Sequence, residues 1–295
     1  MQKIDVVVVT YNRLQLLKEC VNSLIAQKKN LSQIFIINNC STDGTSEYLR
    51  SLKENKLFCI FNLNSNIGGA AGFEYGIKMA SERGNGKYIW IMDDDTIPSN
   101  SASYELLRAA NQLHDNFGFL CSNDRWRDGS ATNIPKASSR WTSLAAYGLI
   151  EVLNATFVSV LTKKSTVMKV GLPLGQMKIW GDDTEYTTRL SRHSPSYFVS
   201  NSIVLHKTNH NLSNDSICNI SSDRLWRYQC LYRNLIYIDR KYYSNKRVVK
   251  AIIHNFIDIY ECLSTKSNKT RKILCIIRGT WSGLFFNPKI HYCIS

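Results

Sequence analysis

Four times in its first hundred residues the chain passes from an apolar run to a stretch with helical spacing or an acidic turn, and this alternation constrains the fold more than any other feature. The apolar runs are IDVVVV (4–9), QIFIIN (33–38), LFCIFNL (57–63) and YIWIM (88–92). Leu14, Leu17, Val21, Leu24 and Ile25 follow the first at helical spacing, Tyr48, Leu49 and Leu52 the second, and Phe73, Ile77 and Met79 the third. Short alternation of this kind predicts an α/β fold, a mostly parallel sheet flanked by helices. A further helix is expected over 100–116, carrying Leu106, Leu107, Ala110 and Leu113, and then a less regular stretch over 117–160. Trp126, Trp141 and Tyr147 in that stretch read as packing residues.

In an open parallel sheet, ligands bind beyond the carboxyl ends of the strands. The segments placed there are TYNR (10–13), NNCSTDGT (38–45), NSNIGGAAG (64–72) and the aspartates 93–95. Any one of these loops is explained by ordinary turn and cap chemistry. Four of them gathered on one edge beside an acidic triplet are not. The NIGGAAGF loop lets a ligand approach the backbone and opens a helix whose N-terminal amides favour anions. It is neither GxGxxG nor GxxxxGK[ST]. Carboxylates facing such a loop would repel a phosphate unless a divalent cation stood between them, so the edge reads as a site for a nucleoside diphosphate with a metal.

Composition narrows the partners. Residues 221–295 hold fourteen Lys and Arg against four Asp and Glu, a net of +10 out of the formal +14 of the 295-residue chain. A basic tail of this kind serves nucleic acid, anionic lipid or phosphorylated ligands. No nucleic-acid-binding motif accompanies it, and nucleic acid is set aside. The nine cysteines are scattered singly with no CxxC pair, which argues for reduced thiols in a cytoplasmic protein and against structural zinc. No apolar run has the length of a signal peptide core or a membrane span. Residues 223–295 read as helices, among them KRVVKAIIHNFIDIYECL with a broad apolar face; such a helix packs on the catalytic domain or lies on an anionic membrane surface.

VVVVTYNR, INNCSTDGT, NSNIGGAAGF and MDDDTIP, in this order and spacing, resemble the nucleotide-sugar site of family 2 inverting glycosyltransferases with the GT-A fold. The resemblance covers roughly residues 4–240. It continues in IWGDDTEYTTR (179–189), like the family's acceptor and catalytic-base motif, in VLHKT (204–208), like its metal histidine, and in YRNLIY (232–237), typical of the galactofuranosyl- and rhamnosyltransferase branch. It implies that Thr10, Tyr11, Asn12 and Arg13 line the nucleotide pocket, with Asn38 near the base and Asn66 and Gly69 near the ribose and diphosphate. Asn38 departs from the aspartate the family often carries there. Asp93, Asp95 and His206 would hold Mn²⁺ or Mg²⁺, Asp94 would stand beside the metal or touch the ribose, and Arg233 would pair with a phosphate. Asp183 would be the base, with Asp182 beside it, and Trp180, Asp182 and Glu185 would bind the acceptor.

Read without the resemblance, His206 is an ordinary histidine after a strand, Arg233 a solvated cation, and Asp182, Asp183 and Glu185 an acidic helix start that suits the dipole. Two acidic clusters, one for metal and one for base, fit the division of labour of inverting transfer. The expected organisation is a catalytic domain over 1–222, with a nucleotide-sugar half (1–98) and an acceptor half (99–222), then a basic helical extension over 223–295. The expected activity is transfer from UDP-galactofuranose or dTDP-rhamnose to a glycan or polyprenyl-diphosphate-linked oligosaccharide in O-antigen or capsule synthesis, at the inner face of the cytoplasmic membrane. A nucleotidyltransferase would want a lysine-bearing, glycine-rich loop after the first strand, which TYNRLQ lacks. A non-catalytic sugar- or nucleotide-binding subunit would not need both acidic clusters.

Overall fold

The strand β1 (Ile4–Thr10) is buried along its whole length, as a strand with neighbours on both sides and helices on both faces must be. The computed structural model describes residues 3–208, 216–265 and 267–293. β2 (Leu31–Asn38), β3 (Phe58–Asn62) and β4 (Tyr88–Asp93) run parallel to β1 in the order β3-β2-β1-β4. They are joined by α1 (Leu14–Ala26), α2 (Thr45–Leu52) and α3 (Gly69–Arg83). Alternate residues of β1 feed two cores: Val6 and Val8 meet Leu17, Val21 and Leu24 of α1, while Val7 and Val9 meet Phe73 and Ile77 of α3. Register does the rest. Thr10 stands opposite Asn38, Asn38 opposite Asn62, and Val9 opposite Asp93, so the four strands end level along one edge.

Beyond β4 the sheet is mixed rather than parallel. β5 (Thr96–Pro98), α4 (Ala102–Gln112), β6 (Phe119–Arg125), β7 (Lys136–Ala137), β8 (Leu149–Asn154), β9 (Val160–Lys163), α5 (Lys164–Val170), α6 (Asp182–His193) and β10 (Ser196–His206) follow. The full order is β3-β2-β1-β4-β9-β6-β10-β8-β7, with β5 on β10. β9 runs antiparallel between β4 and β6. The stretch 117–160, expected to be irregular, thus supplies central strands. Its polar residues mislead because they are satisfied inside: Ser122 lies 2.6 Å from Ser159 and 2.8 Å from Ser202, and Trp90 donates to Ser159 at 2.8 Å.

Three helices end the chain: α7 (Leu225–Tyr242), α8 (Asn245–Leu263) and α9 (Lys269–Phe285). Tyr228 and Tyr232 of α7 pack against Cys262 of α8 and Cys275 and Ile276 of α9. The far end of α7 joins the body, where Tyr237, Ile238 and Tyr242 cluster with Ala70, Leu174 and Met177. The chain then returns to the body. Leu172 donates its N–H to the His291 carbonyl at 2.8 Å, the His291 ring lies 2.5 Å from Glu74, and Cys293 is buried in the α3-side core. Among the described residues, no helix is long and apolar enough to cross a membrane.

Candidate active site

The aspartate triplet follows directly from the end of β4, with one partly open carboxylate and two buried ones. Thr10 Oγ1 donates to Asp94 Oδ2 at 2.7 Å, and Arg13 Nη1 reaches Asp95 Oδ2 at 2.5 Å and Asp94 Oδ1 at 3.3 Å. Burial, and then the charges of Asp95 and Asp94, push Asp93 well above the usual carboxylate range. Burial also lifts Asp94 to about 6 against the pull of Arg13. Asp95 goes the other way: burial opposes its ionisation, but His206 and Arg13 hold it below the usual range. Three carboxylates this close favour a cation.

Asp93, Asp95 and His206 each offer one ligand atom, all within 4.8 Å of one another. The antiparallel pairing of β10 with β5, which sets His206 opposite Thr96, brings the histidine to the triplet across more than a hundred residues of sequence. Asp95 Oδ1 is buried with no hydrogen bond of proper geometry, although His206 Nε2 stands 3.2 Å away. Both are atom types that ligate divalent cations. Asn133 Nδ2 lies 2.9 Å from His206 Nδ1. Turned to present its carbonyl oxygen, that amide accepts Nδ1–H and leaves the Nε2 lone pair for a metal. The donor set of two carboxylate oxygens and an imidazole nitrogen suits Mn²⁺ or Mg²⁺.

The neighbouring loops are tied to one another by asparagines. Asn12, at φ +52°, accepts the Thr42 N–H at 2.7 Å and donates its own N–H to Ser41 Oγ at 3.0 Å. Asp43 accepts from Leu14 N–H at 2.9 Å, capping α1 from the next loop. Asn38 donates to Asn62 Oδ1 at 2.8 Å and to Ser46 Oγ at 3.0 Å. A carboxylate cannot donate, so the amide at this position makes an internal strut of a side chain expected at the nucleotide base. Asn39, which sequence reasoning passed over, accepts from Ile67 N–H at 2.9 Å and donates to the Gly68 carbonyl at 3.1 Å. Asn66 accepts from Gly68 N–H at 2.9 Å. Gly68, at φ +90°, passes so close to the Lys178 carbonyl that a Cβ would sit 2.9 Å from it, whereas a Cβ on Gly69 would meet nothing within 4 Å. Gly69 therefore has open space, and Tyr11 and Arg13 are exposed just beyond the end of β1.

The second acidic cluster, Asp182 and Asp183, sits at the start of α6, after a backbone with Lys178, Trp180 and Gly181 at positive φ. Asn234 of α7 holds this unfavourable path by donating to three carbonyls, those of Met177 (3.1 Å), Ile179 (3.2 Å) and Trp180 (2.6 Å). Trp180 packs edge-on against Tyr228, with ring centroids 5.1 Å apart. Asp183 accepts from Thr184 N–H at 2.6 Å. Burial raises Asp183 above the usual range despite that bond, and raises Asp182, with the help of Asp183, to about 8. The charge of Asp183 also helps to raise the pKa of Asp93.

Two expected ligand contacts are corrected. Glu185 is fully buried and accepts from Arg189 Nε and Nη2 at 3.0 Å each and from the Tyr242 hydroxyl, which leaves it no access to an acceptor sugar. Arg233 donates to the Gln176 and Met177 carbonyls at 3.1 and 3.0 Å and lies over the Phe286 ring at 4.1 Å, clamping the base loop instead of reaching a phosphate. Arg227, in the first turn of α7, has a buried Nε without a hydrogen-bond partner, and burial and then the charges of Arg224 and Arg13 lower its pKa. Nothing in a run of helical Arg residues distinguishes 227 from 233 before the helix is docked.

The family described as Glycosyl transferase family 2 matches residues 5–153. The poly-beta-1,6-N-acetyl-D-glucosamine synthase of Staphylococcus aureus strain COL is 32% identical over 172 residues, 55% of this chain and 39% of the relative. That of Staphylococcus epidermidis ATCC 35984 is 29% identical over 171 residues, with the same coverage. The chain thus spans about two fifths of the length of these curated relatives. Among solved structures, S. aureus TarS 1–349 in complex with UDP-GlcNAc superposes with a TM-score of 0.61 at 15% identity, covering 93% of this chain and 79% of that one. GalNAc-T7 with UDP, GalNAc and Mn²⁺ gives a TM-score of 0.62 at 15% identity, covering 81% and 48%. These likenesses establish the GT-A fold, and with a match over half its length the chain belongs to glycosyl transferase family 2.

Proposed function

We propose that the chain transfers a sugar with inversion from a nucleotide sugar to a hydroxyl of a glycan or lipid-linked oligosaccharide, in surface polysaccharide synthesis at the cytoplasmic face of the membrane. The observation that carries this reading is the Asp93–Asp95–His206 group, whose ligand atoms lie within 4.8 Å of one another, beside loops matching the family's nucleotide-sugar motifs, with the charge of Asp183 raising the pKa of Asp93. Asp93, Asp95 and His206 would hold Mn²⁺ or Mg²⁺, which supplies Lewis acidity to a departing diphosphate. Arg13 favours the ionised form of the buried Asp94 and Asp95 beside that position, and Arg227, whose pKa the charge of Arg13 helps to lower, would add positive charge for the donor's phosphates. Asp183, fixed by Thr184, takes the proton of the acceptor hydroxyl, and Trp180 and Asp182 bound the acceptor's approach.

The names of the similar proteins place N-acetylglucosamine first among the sugars to test. The IWGDDTE and YRNLIY segments support UDP-galactofuranose or dTDP-rhamnose as the second reading. Released nucleotide measured over a panel of UDP- and dTDP-sugars, with Mn²⁺, Mg²⁺ or excess EDTA, tests both. Turnover of one donor that EDTA abolishes and Asp95→Asn removes is the expected result. Undiminished turnover in EDTA would sink the metal assignment, and no turnover of any donor, with binding retained, would favour a non-catalytic subunit.

A further inference from the structure

The C-terminal helices leave a large apolar surface uncovered. On α8, Val248, Asn255 and Cys262 are buried, while Val249, Ile253, Phe256, Ile257, Tyr260 and Leu263 are 48–76% exposed. At 100° per residue the exposed six fall in one stripe beside the buried one. On α9, Leu274, Ile277, Trp281 and Phe285 are 40–68% exposed, opposite the buried Lys272, Ile276, Gly279 and Gly283 that face α7. Thr280 accepts from Asn255 Nδ2 at 2.7 Å, which fixes the line where α8 meets α9. Counted around each helix from that line, both stripes lie on the side away from α7, so they adjoin as a single face. Soluble monomers rarely expose a contiguous apolar area of this size.

The charges flanking this face identify its occupant. Lys246 and Lys250 border the α8 stripe and Arg271 and Arg278 the α9 stripe; all four are exposed and Glu261 is the acid among them. A protein partner of ordinary composition would need no such uniform sign. Aliphatic residues with Trp and Tyr among them, edged by Lys and Arg, match the boundary between acyl chains and anionic headgroups. We infer that α8 and α9 together form a docking face for an anionic lipid bilayer, lying in its surface without crossing it.

The test is sedimentation of the full chain with vesicles of phosphatidylcholine alone or mixed with phosphatidylglycerol, without donor or acceptor, so that its outcome is independent of the glycosyl-transfer reading. The expected result is binding to the anionic vesicles with a blue shift of tryptophan fluorescence. Binding should weaken between about 0.1 M and about 1 M salt, as the screening length falls from ~10 Å to ~3 Å. Phe256→Glu with Trp281→Glu, both at exposed positions, should cut partitioning by about tenfold or more while circular dichroism stays unchanged, since each ring leaves an apolar environment. Lys250→Gln with Arg278→Gln should weaken binding to anionic vesicles by about tenfold and leave neutral ones unaffected. No binding to either vesicle at low salt overturns the inference. So does a dimer in light scattering that the Phe256 and Trp281 substitutions dissociate, because a second copy would then cover the face.

Discussion

Asp182 and Asp183 are neighbours in sequence, yet their surroundings separate them. With Asp182 lifted to about 8, it carries a proton at neutral pH, and the proposed base is its neighbour Asp183. Asparagine imitates a protonated acid, so Asp182→Asn should lower kcat by a few-fold only, whereas Asp183→Asn should lower it by at least about a hundredfold with donor affinity near wild type. Near-normal turnover in Asp183→Asn with loss in Asp182→Asn would move the base by one residue. Because Asp183 acts deprotonated and burial raises its pKa, the rate should climb with pH through a midpoint above that of a free aspartate, ~3.9, and this limb should vanish in Asp183→Asn. Arg227→Ala should raise the donor KM by roughly ten- to a hundredfold, the weight of a charge-assisted contact, with a smaller effect on kcat. Arg233→Ala should leave donor KM unchanged and lower thermal stability, since it removes bonds to the base loop.

The 177–181 loop owes its path to Asn234, a residue on another element. Asn234→Ala strands buried carbonyls at a cost of about 1–3 kcal/mol each, so Tm and kcat should fall together while nucleotide affinity persists; an unchanged kcat would show the loop to be self-supporting. Little of this was legible in the sequence. The strands β1 to β4 announce themselves because they are apolar throughout, and their parallel register then brings Thr10, Asn38 and Asp93 to one edge. β6 hides because its buried serines satisfy one another, a pattern that resembles a loop until the partners are known. Asn39, Asn133 and Asn234 are equally mute: asparagine is the commonest turn residue, and each acts on a segment 28 to 73 residues away.

Across the whole molecule, the helical hairpin of α8 and α9 leaves the body through α7 and is tied back to it by residues 286–293. Truncation after Phe285 touches no proposed site residue, yet it removes the Leu172–His291 hydrogen bond, the Glu74–His291 contact and the buried Cys293, so thermal unfolding should begin several degrees lower. An unaltered Tm would mean that the return segment is ornamental. Held at both ends, the hairpin cannot swing like a tether. With its apolar face docked on lipid as inferred above, the sheet edge would stand at one fixed altitude over the bilayer. A saccharide on a lipid carrier, the acceptor proposed here, would then meet Asp183 only when its stem is as long as that altitude, and one that had outgrown it would have to bend away.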